Sequence, residues 1–109
     1  MTPTNYTAST RTLKVALSHG MESINQVLVF LYIAQGGTRG MTVSDVMSHY
    51  GMSQSAASRA CRFLTSVFNS ERQGVDLVEC YNDSQDRRIK WFRLNPKGTK
   101  AIAEMGSPR

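Results

Sequence analysis

The sequence predicts a mainly α-helical domain with a small β-hairpin (an α+β chain), arranged as a winged helix-turn-helix. Two short amphipathic segments flank a glycine-containing turn, and a segment with strand-like alternation follows them. One stretch without acidic residues covers the second segment, with Arg59 and Arg62, and another covers part of the hairpin and is rich in basic residues. With 109 residues, the chain has the size of one domain that buries a single modest core.

The composition narrows the class of protein. Hydrophobic residues make up 40% and charged residues 19%, which is typical of a folded chain rather than a disordered one. The longest apolar run, residues 27–34, is too short to span a bilayer, and the N-terminus lacks the pattern of a signal peptide. We therefore expect a cytoplasmic protein with no membrane partner. The net charge of +5 favours an anionic partner, with nucleic acid ahead of a membrane surface.

The N-terminal residues 1–11 are polar and are predicted to form a flexible tail, which leaves residues 12–106 as the winged helix-turn-helix domain. Two helices are expected before the turn, one over about residues 10–18 and one over about residues 22–35. Their buried faces are predicted from apolar residues at helical spacing, namely Leu13, Ala16 and Leu17 in the first helix and Ile24, Val27, Leu28 and Leu31 in the second.

Two further helices meet at a tight turn over residues 50–53. Thr42 is predicted to cap the first, over about residues 43–50, and Ser53 the second, over about residues 54–68. The residues expected to be buried on the second of these helices are Ala57, Cys61, Leu64 and Phe68. Because two short helices joined through a glycine form the helix-turn-helix unit, the second is the candidate recognition helix.

Beyond residue 74 the apolar pattern changes from helical to strand-like. Residues 75–81 and 89–94 are predicted to form two strands, joined by the polar turn at residues 82–86. A last helix is expected to begin at Asn95-Pro96, with the asparagine as its cap and the proline in its first turn. A hairpin that directly follows a helix-turn-helix is the winged arrangement.

The candidate recognition helix carries side chains suited to DNA. No acidic residue stands between Asp45 and Glu71, whereas an ordinary solvated helix face mixes acids with bases. Arginine pairs bidentately with guanine and glutamine with adenine, while serine hydroxyls and helix N-terminal amides hold phosphates. The residues predicted to bind DNA from this helix are Ser53, Gln54, Ser55, Ser58, Arg59 and Arg62.

A second acid-free stretch begins at the predicted wing. Arg87, Arg88 and Lys90 are the candidate DNA contacts there, since an arginine side chain fits the narrow, negative minor groove of A-tracts. Asp83 and Asp86 at the tip are expected to structure the wing, by capping the turn and by holding a neighbouring guanidinium. The alternative interpretation is a hairpin whose charges serve only solubility.

Residues 22–105 resemble the MarR family of winged helix-turn-helix transcriptional regulators. The matching motifs are Thr-Val-Ser-Asp-Val at 42–46, Gly-Met-Ser-Gln-Ser-Ala-Ala-Ser-Arg at 51–59, Asp-Ser-Gln-Asp-Arg-Arg at 83–88 and Leu-Asn-Pro-Lys-Gly at 94–98. The resemblance implies that Ser55, Ser58, Arg59 and Arg62 face the major groove. It also implies that Arg87 or Arg88 enters the minor groove, positioned by Asp86.

The resemblance further implies a homodimer on a pseudo-palindromic site, and a repressor that a small ligand releases. This chain is shorter than typical family members, and little follows residue 105. We therefore expect the terminal helices that build the family's dimer interface and ligand pocket to be truncated. Monomer and homodimer both stay open, as does control by a small-molecule effector.

The sequence gives weaker support to other functions. The histidines His19 and His49 lie outside any metal-binding spacing, and Cys61 and Cys80 form no CxxC pair, so we predict no enzyme, no metal and no cofactor. Both thiols are expected to be buried and reduced. The alternative function is a winged-helix protein-interaction adaptor, for example a phage protein that binds a polymerase or an inhibitor, with Trp91 as an exposed anchor.

Overall fold

The computed structural model describes residues 6–106. Within them five helices and three strands follow in the order α1 (Thr7–Ser18), α2 (Ile24–Gln35), β1 (Met41–Thr42), α3 (Val43–Tyr50), α4 (Gln54–Leu64), β2 (Val78–Asn82), β3 (Lys90–Leu94) and α5 (Pro96–Gly106). The strands form one antiparallel sheet in the order β1-β3-β2. The predicted combination of helices with a small antiparallel sheet is confirmed.

Helix α1 begins earlier than the sequence predicted. It begins at Thr7 rather than near Thr10, so residues 7–11 are helical and do not belong to a flexible tail. Residues 1–5 of the expected tail lie outside the described residues. The helix has no side-chain N-cap, which explains why no capping signal marked its start.

The apolar faces of α1 and α2 were predicted only in part. Ala16 is buried against the core, whereas Leu13 and Leu17 are 44% and 69% exposed. Ile24, the first residue of α2, is also exposed. The buried residues of α2 are Val27, Val29, Phe30 and Ile33. Because α2 is apolar on nearly every side, its spacing allowed several buried faces, and packing against α4, α5 and β3 selects among them.

The helix-turn-helix forms as predicted. The Thr42 hydroxyl accepts the backbone N–H of Asp45 at 3.1 Å, and the Asp45 carboxylate accepts the N–H of Thr42 at 2.9 Å, a complete capping box at the start of α3. Gly51 ends α3 with a φ of +69°. The Tyr50 hydroxyl donates to the carbonyl of Leu28 at 2.8 Å and ties α3 to α2.

The core is centred on α2 and α4 and also takes buried residues from α1, α3, α5 and the sheet. Helix α4 begins after Ser53, whose hydroxyl accepts the N–H of Ala56 at 3.1 Å, as the sequence predicted. Its predicted inner residues Ala57, Cys61 and Leu64 are fully buried. The largest fully buried side chains are Phe30, Ile33, Leu64, Leu77, Val29, Val46 and Val78.

Helix α4 ends at Leu64, four residues before its expected end at Phe68. Thr65 follows in an extended conformation, and its hydroxyl donates to the carbonyl of Arg62 at 2.7 Å. Such local side-chain hydrogen bonds compete with continuation of a helix. Phe68 therefore lies in the loop after α4, where it is half-buried and its ring meets that of Phe63 edge-on at 5.6 Å.

The predicted hairpin is formed by β2 and β3, with Cys80 opposite Phe92. Strand β1 pairs with the other edge of β3 and was not predicted, because two residues are too few to show alternation. Gly40, directly before β1, has a φ of +82°, and a Cβ there would lie 1.9 Å from the carbonyl oxygen of Phe92. Only glycine allows this close approach of backbones.

Helix α5 closes the fold and packs against α1. The Asn95 side-chain oxygen accepts the N–H of Gly98 at 2.8 Å, so the predicted cap is confirmed, with Pro96 in the first turn. Ala101 and Met105 are buried on its inner face. No helix within residues 6–106 is long and apolar enough to cross a membrane.

Candidate nucleic-acid interface

An open groove of about 880 Å³ is lined by one flank of α4, by residues 42–45 and 47 at the start of α3, and by the wing, defined here as β2, β3 and the turn between them. The α4 side of the groove consists of Gln54, Ser58, Arg62 and Thr65, which are spaced four, four and three residues apart. The wing side includes Cys80, Arg88, Ile89 and Lys90. Three cations predicted to bind DNA, Arg62, Arg88 and Lys90, therefore line one groove.

Asp83 organises the turn of the wing. One carboxylate oxygen accepts the backbone N–H groups of Gln85 and Asp86 at 3.0 and 3.1 Å, and the other accepts the indole N–H of Trp91 at 2.9 Å. The hydrogen bond from Trp91, followed by those from the two backbone groups, lowers the pKa of Asp83. The carboxylate is thus the acceptor around which the turn closes.

Asp86 holds the guanidinium of Arg88. Its carboxylate accepts the Arg88 backbone N–H at 3.0 Å and two guanidinium N–H groups, each at 3.1 Å. This contact lowers the pKa of Asp86 and raises the pKa of Arg88. The Arg88 side chain is nevertheless 90% exposed, so it is held in place and presented to solvent.

Arg87 and Arg59 are placed differently from Arg88. The Asn82 side chain donates to the carbonyl of Arg87 at 2.7 Å, and the Arg87 side chain points into solvent without an ion pair among residues 6–106. Arg59 lies on the other flank of α4, in a smaller groove of about 220 Å³ beside Ser23 and Gln26 at the start of α2. The two arginines of α4 thus line different flanks of the helix.

The structure gathers most of the nine predicted DNA-binding residues along α4 and the wing. Gln54, Ser58, Arg62, Arg88 and Lys90 line the larger groove, and Arg59 lines the smaller one. The remaining three, Ser53, Ser55 and Arg87, are exposed outside both grooves. Asp83 and Asp86, predicted to structure the wing, make the contacts described above.

The loop between α2 and β1 also contacts the wing, which the sequence did not predict. The Arg39 guanidinium lies 4.3 Å above the Trp91 ring, and the Tyr81 hydroxyl donates to the carbonyl of Arg39 at 2.7 Å. Trp91, the exposed anchor of the adaptor alternative, is half-buried beneath Arg39. No sequence pattern joins residues 39 and 91, because the pairing of β1 with β3 brings them together.

The two cysteines differ in environment. Cys61 is buried in the core, and desolvation raises its pKa to about 12, so its thiol is protonated at neutral pH. Cys80 is exposed at the groove, contrary to the expectation that both thiols are buried. Both cysteines are free. Residues 6–106 contain no group of three or more His, Cys, Asp or Glu side chains that could hold a metal ion.

No family model matches the sequence, and no curated protein matches it either. Solved structures share its fold. Transcriptional regulator Tm0710 from Thermotoga maritima matches with a TM-score of 0.71 and 15% identity, covering 92% of this chain and 63% of that chain. A single-residue mutant of MepR from S. aureus, solved with an oligodeoxyribonucleotide, matches with a TM-score of 0.69 and 18% identity, covering 92% and 66%.

MarR matches with a TM-score of 0.64 and 19% identity, covering 86% of this chain and 62% of that chain. The chain thus spans less than two thirds of the length of each of these three proteins. At such low identity the similarity is one of fold. The chain has the winged helix-turn-helix fold of MarR and MepR, as the motifs in its sequence predicted.

Proposed function

We propose that this protein binds double-stranded DNA at specific sequences and acts as a transcriptional repressor. In this proposal α4 enters the major groove and the wing contacts the adjacent minor groove. The observation that carries the proposal is the shared groove, which Arg62 of α4 lines together with Arg88 and Lys90 of the wing. Cations on two elements that flank one open groove suit the phosphate backbone of a duplex.

Base recognition is assigned to the exposed side of α4. Ser55 and Arg59 are exposed, Ser58 is half-buried, and the helix presents no carboxylate that would repel phosphates. The major groove of B-form DNA admits an α-helix and displays a distinct pattern of donors and acceptors for every base pair. On this surface the short serine side chains can contact groups close to the helix, and the long arginine side chain can contact groups farther from it.

The wing contributes a pre-positioned guanidinium. Because Asp86 already holds Arg88, binding to DNA would immobilise fewer of its rotamers and would cost less entropy than ordering a free arginine. The Arg87 side chain has no such restraint among the described residues, so in this proposal it can adjust its conformation to the DNA minor groove. The pair thus combines one fixed and one adaptable cation at the minor groove.

Salt dependence tests the proposal. If Arg62, Arg87, Arg88 and Lys90 each neutralise one phosphate, the logarithm of the binding constant should fall with the logarithm of salt concentration with a slope of about −3 to −4. A duplex selected from a random pool serves as the probe. The Arg87→Ala, Arg88→Ala double variant should bind all duplexes about tenfold more weakly and flatten the slope by about 2 units.

A charge-matched control separates wing contacts from net charge. Lys97→Ala, Lys100→Ala removes two exposed cations from α5 and should leave the slope nearly unchanged. A flat salt dependence of the original chain would contradict duplex binding and favour the protein-interaction adaptor, whose apolar contacts tolerate salt. Repression is then tested by placing the selected site across a reporter promoter. Reporter output should fall, and a rise would rule out a repressor.

We also propose that two copies associate through α1 and α5. Leu13 and Leu17 lie exposed on α1, next to the helix that ends the described chain. A second copy that covers these leucines would place two α4 helices on one duplex. Light scattering at micromolar concentration should give twice the mass of one chain, and Leu17→Lys should return it to the mass of one. A single-chain mass at all concentrations contradicts the homodimer.

A further inference from the structure

The face of the wing that is turned away from Cys80 and Phe92 carries a continuous series of side-chain contacts, called here the outer ladder. Its members are Glu79, Tyr81, Arg93, Arg39 and Trp91. The Arg93 guanidinium donates to Glu79 at 2.8 Å and lies 4.2 Å above the Tyr81 ring. The Tyr81 hydroxyl then donates to the Arg39 carbonyl, and the Arg39 guanidinium covers Trp91.

The outer ladder leads to the tip of the wing. Trp91 donates its indole N–H to Asp83, which in turn holds the backbone N–H groups of Gln85 and Asp86. Asp86 then holds the backbone and the guanidinium of Arg88. Every step from Arg39 to Arg88 is thus a direct contact of one side chain with the next group.

This chain of contacts begins in the body of the protein. Arg39 belongs to the loop between α2 and β1, and β1 pairs with β3 beside Trp91. A two-stranded hairpin alone is only marginally stable in water, and here the wing projects beyond the two-residue β1. The stack of Arg39 on Trp91 and the bond from Trp91 to Asp83 supply the missing restraint on one face.

We infer that Trp91 and Arg39 are positioning residues of the wing, which act through Asp83 and Asp86 to hold Arg88 in the orientation that meets the duplex. This inference rests on the proposed function, because it assigns the two residues a role in DNA affinity. It also makes a separate statement about the free protein, namely that the tip is ordered by the indole N–H. The two statements are tested separately.

The first test uses the free protein. Trp91→Phe keeps an aromatic ring under Arg39 and removes the N–H donor to Asp83. The ¹⁵N order parameters of residues 84–88 should fall from about 0.85 to about 0.6, while the rest of the chain is unchanged. The matched control Tyr50→Phe removes a hydrogen bond to Leu28 outside the wing and should leave residues 84–88 unchanged. Unchanged order in Trp91→Phe overturns the inference.

The second test is a double-mutant cycle on the selected duplex. Trp91→Phe and Arg39→Ala should each weaken binding about fivefold in the original chain, but less than about twofold in an Arg88→Ala background. A merely structural role would give the same loss in both backgrounds and a lower melting temperature, and would overturn the inference. If the original chain binds no duplex, the proposed function fails, while the order parameters still decide whether the ladder orders the tip.

Discussion

Replacing Arg59 with alanine should weaken binding to the selected duplex by about 5- to 150-fold, the equivalent of about 1–3 kcal/mol for a bidentate contact with guanine. Arg59 is exposed on α4 and forms no ion pair within residues 6–106, so its loss leaves no buried partner unsatisfied. The effect should therefore fall on recognition rather than on folding. Fluorescence anisotropy with the selected duplex and its single-base variants measures both affinity and preference.

The pattern across base variants identifies the kind of contact. If Arg59 pairs with a base, discrimination at one or two positions should collapse in the alanine variant, while binding to unrelated duplexes hardly changes. Lys100→Ala removes the same charge from α5 and should cost less than about twofold at equal salt. An equal loss on every duplex would reassign Arg59 to phosphate, and no loss would remove it from the interface.

Replacing Gly40 with alanine should destabilise the fold by at least about 3 kcal/mol. The new Cβ would lie 1.9 Å from the Phe92 carbonyl oxygen and 2.9 Å from the Cα of Arg93, both of which are backbone atoms that no rotamer change can move. Relief requires β1 to separate from β3. For a domain of this size the melting temperature should fall by about 12 °C or more, as measured by circular dichroism.

Gly37→Ala is the matched control for this contact. Gly37 has a φ of +61° in the same loop, but a Cβ there would meet nothing within 4 Å. Alanine at this position should cost only about 1 kcal/mol, the ordinary penalty of a left-handed backbone. The difference between the two variants isolates the steric contact, and equal losses would show that β1 does not approach β3 as described.

The parts of the fold that were predictable are those coded by neighbouring residues. Thr42, Ser53 and Asn95 cap their helices through contacts three residues along the chain, and each was predicted from the residue types alone. The unpredicted features depend on distant groups. Strand β1 exists only because β3 passes beside it, and the buried face of the apolar helix α2 depends on its neighbours.

The candidate interface likewise has features that the sequence predicted and features that depend on distant residues. The residue types on α4 and at the wing indicated which side chains could meet DNA, because a run without acids is visible in a sequence. Which of these side chains lie close together depends on the tertiary structure. Arg62 joins Arg88 and Lys90 across a groove, whereas Arg59, only three residues earlier, lies on the other flank. The place of Arg39 above Trp91 left no sequence signal at all.

The shortness of α4 limits how much sequence one chain can distinguish under the proposed function. Its 11 residues rise about 16 Å, which matches about five base pairs of B-form duplex. A given sequence of five base pairs recurs by chance about once per thousand base pairs. A single copy of the protein would therefore meet thousands of equivalent binding sites in a genome of bacterial size. Further specificity must then come from other protein groups that contact the same DNA site, and the wing with its fixed guanidinium is the nearest of them.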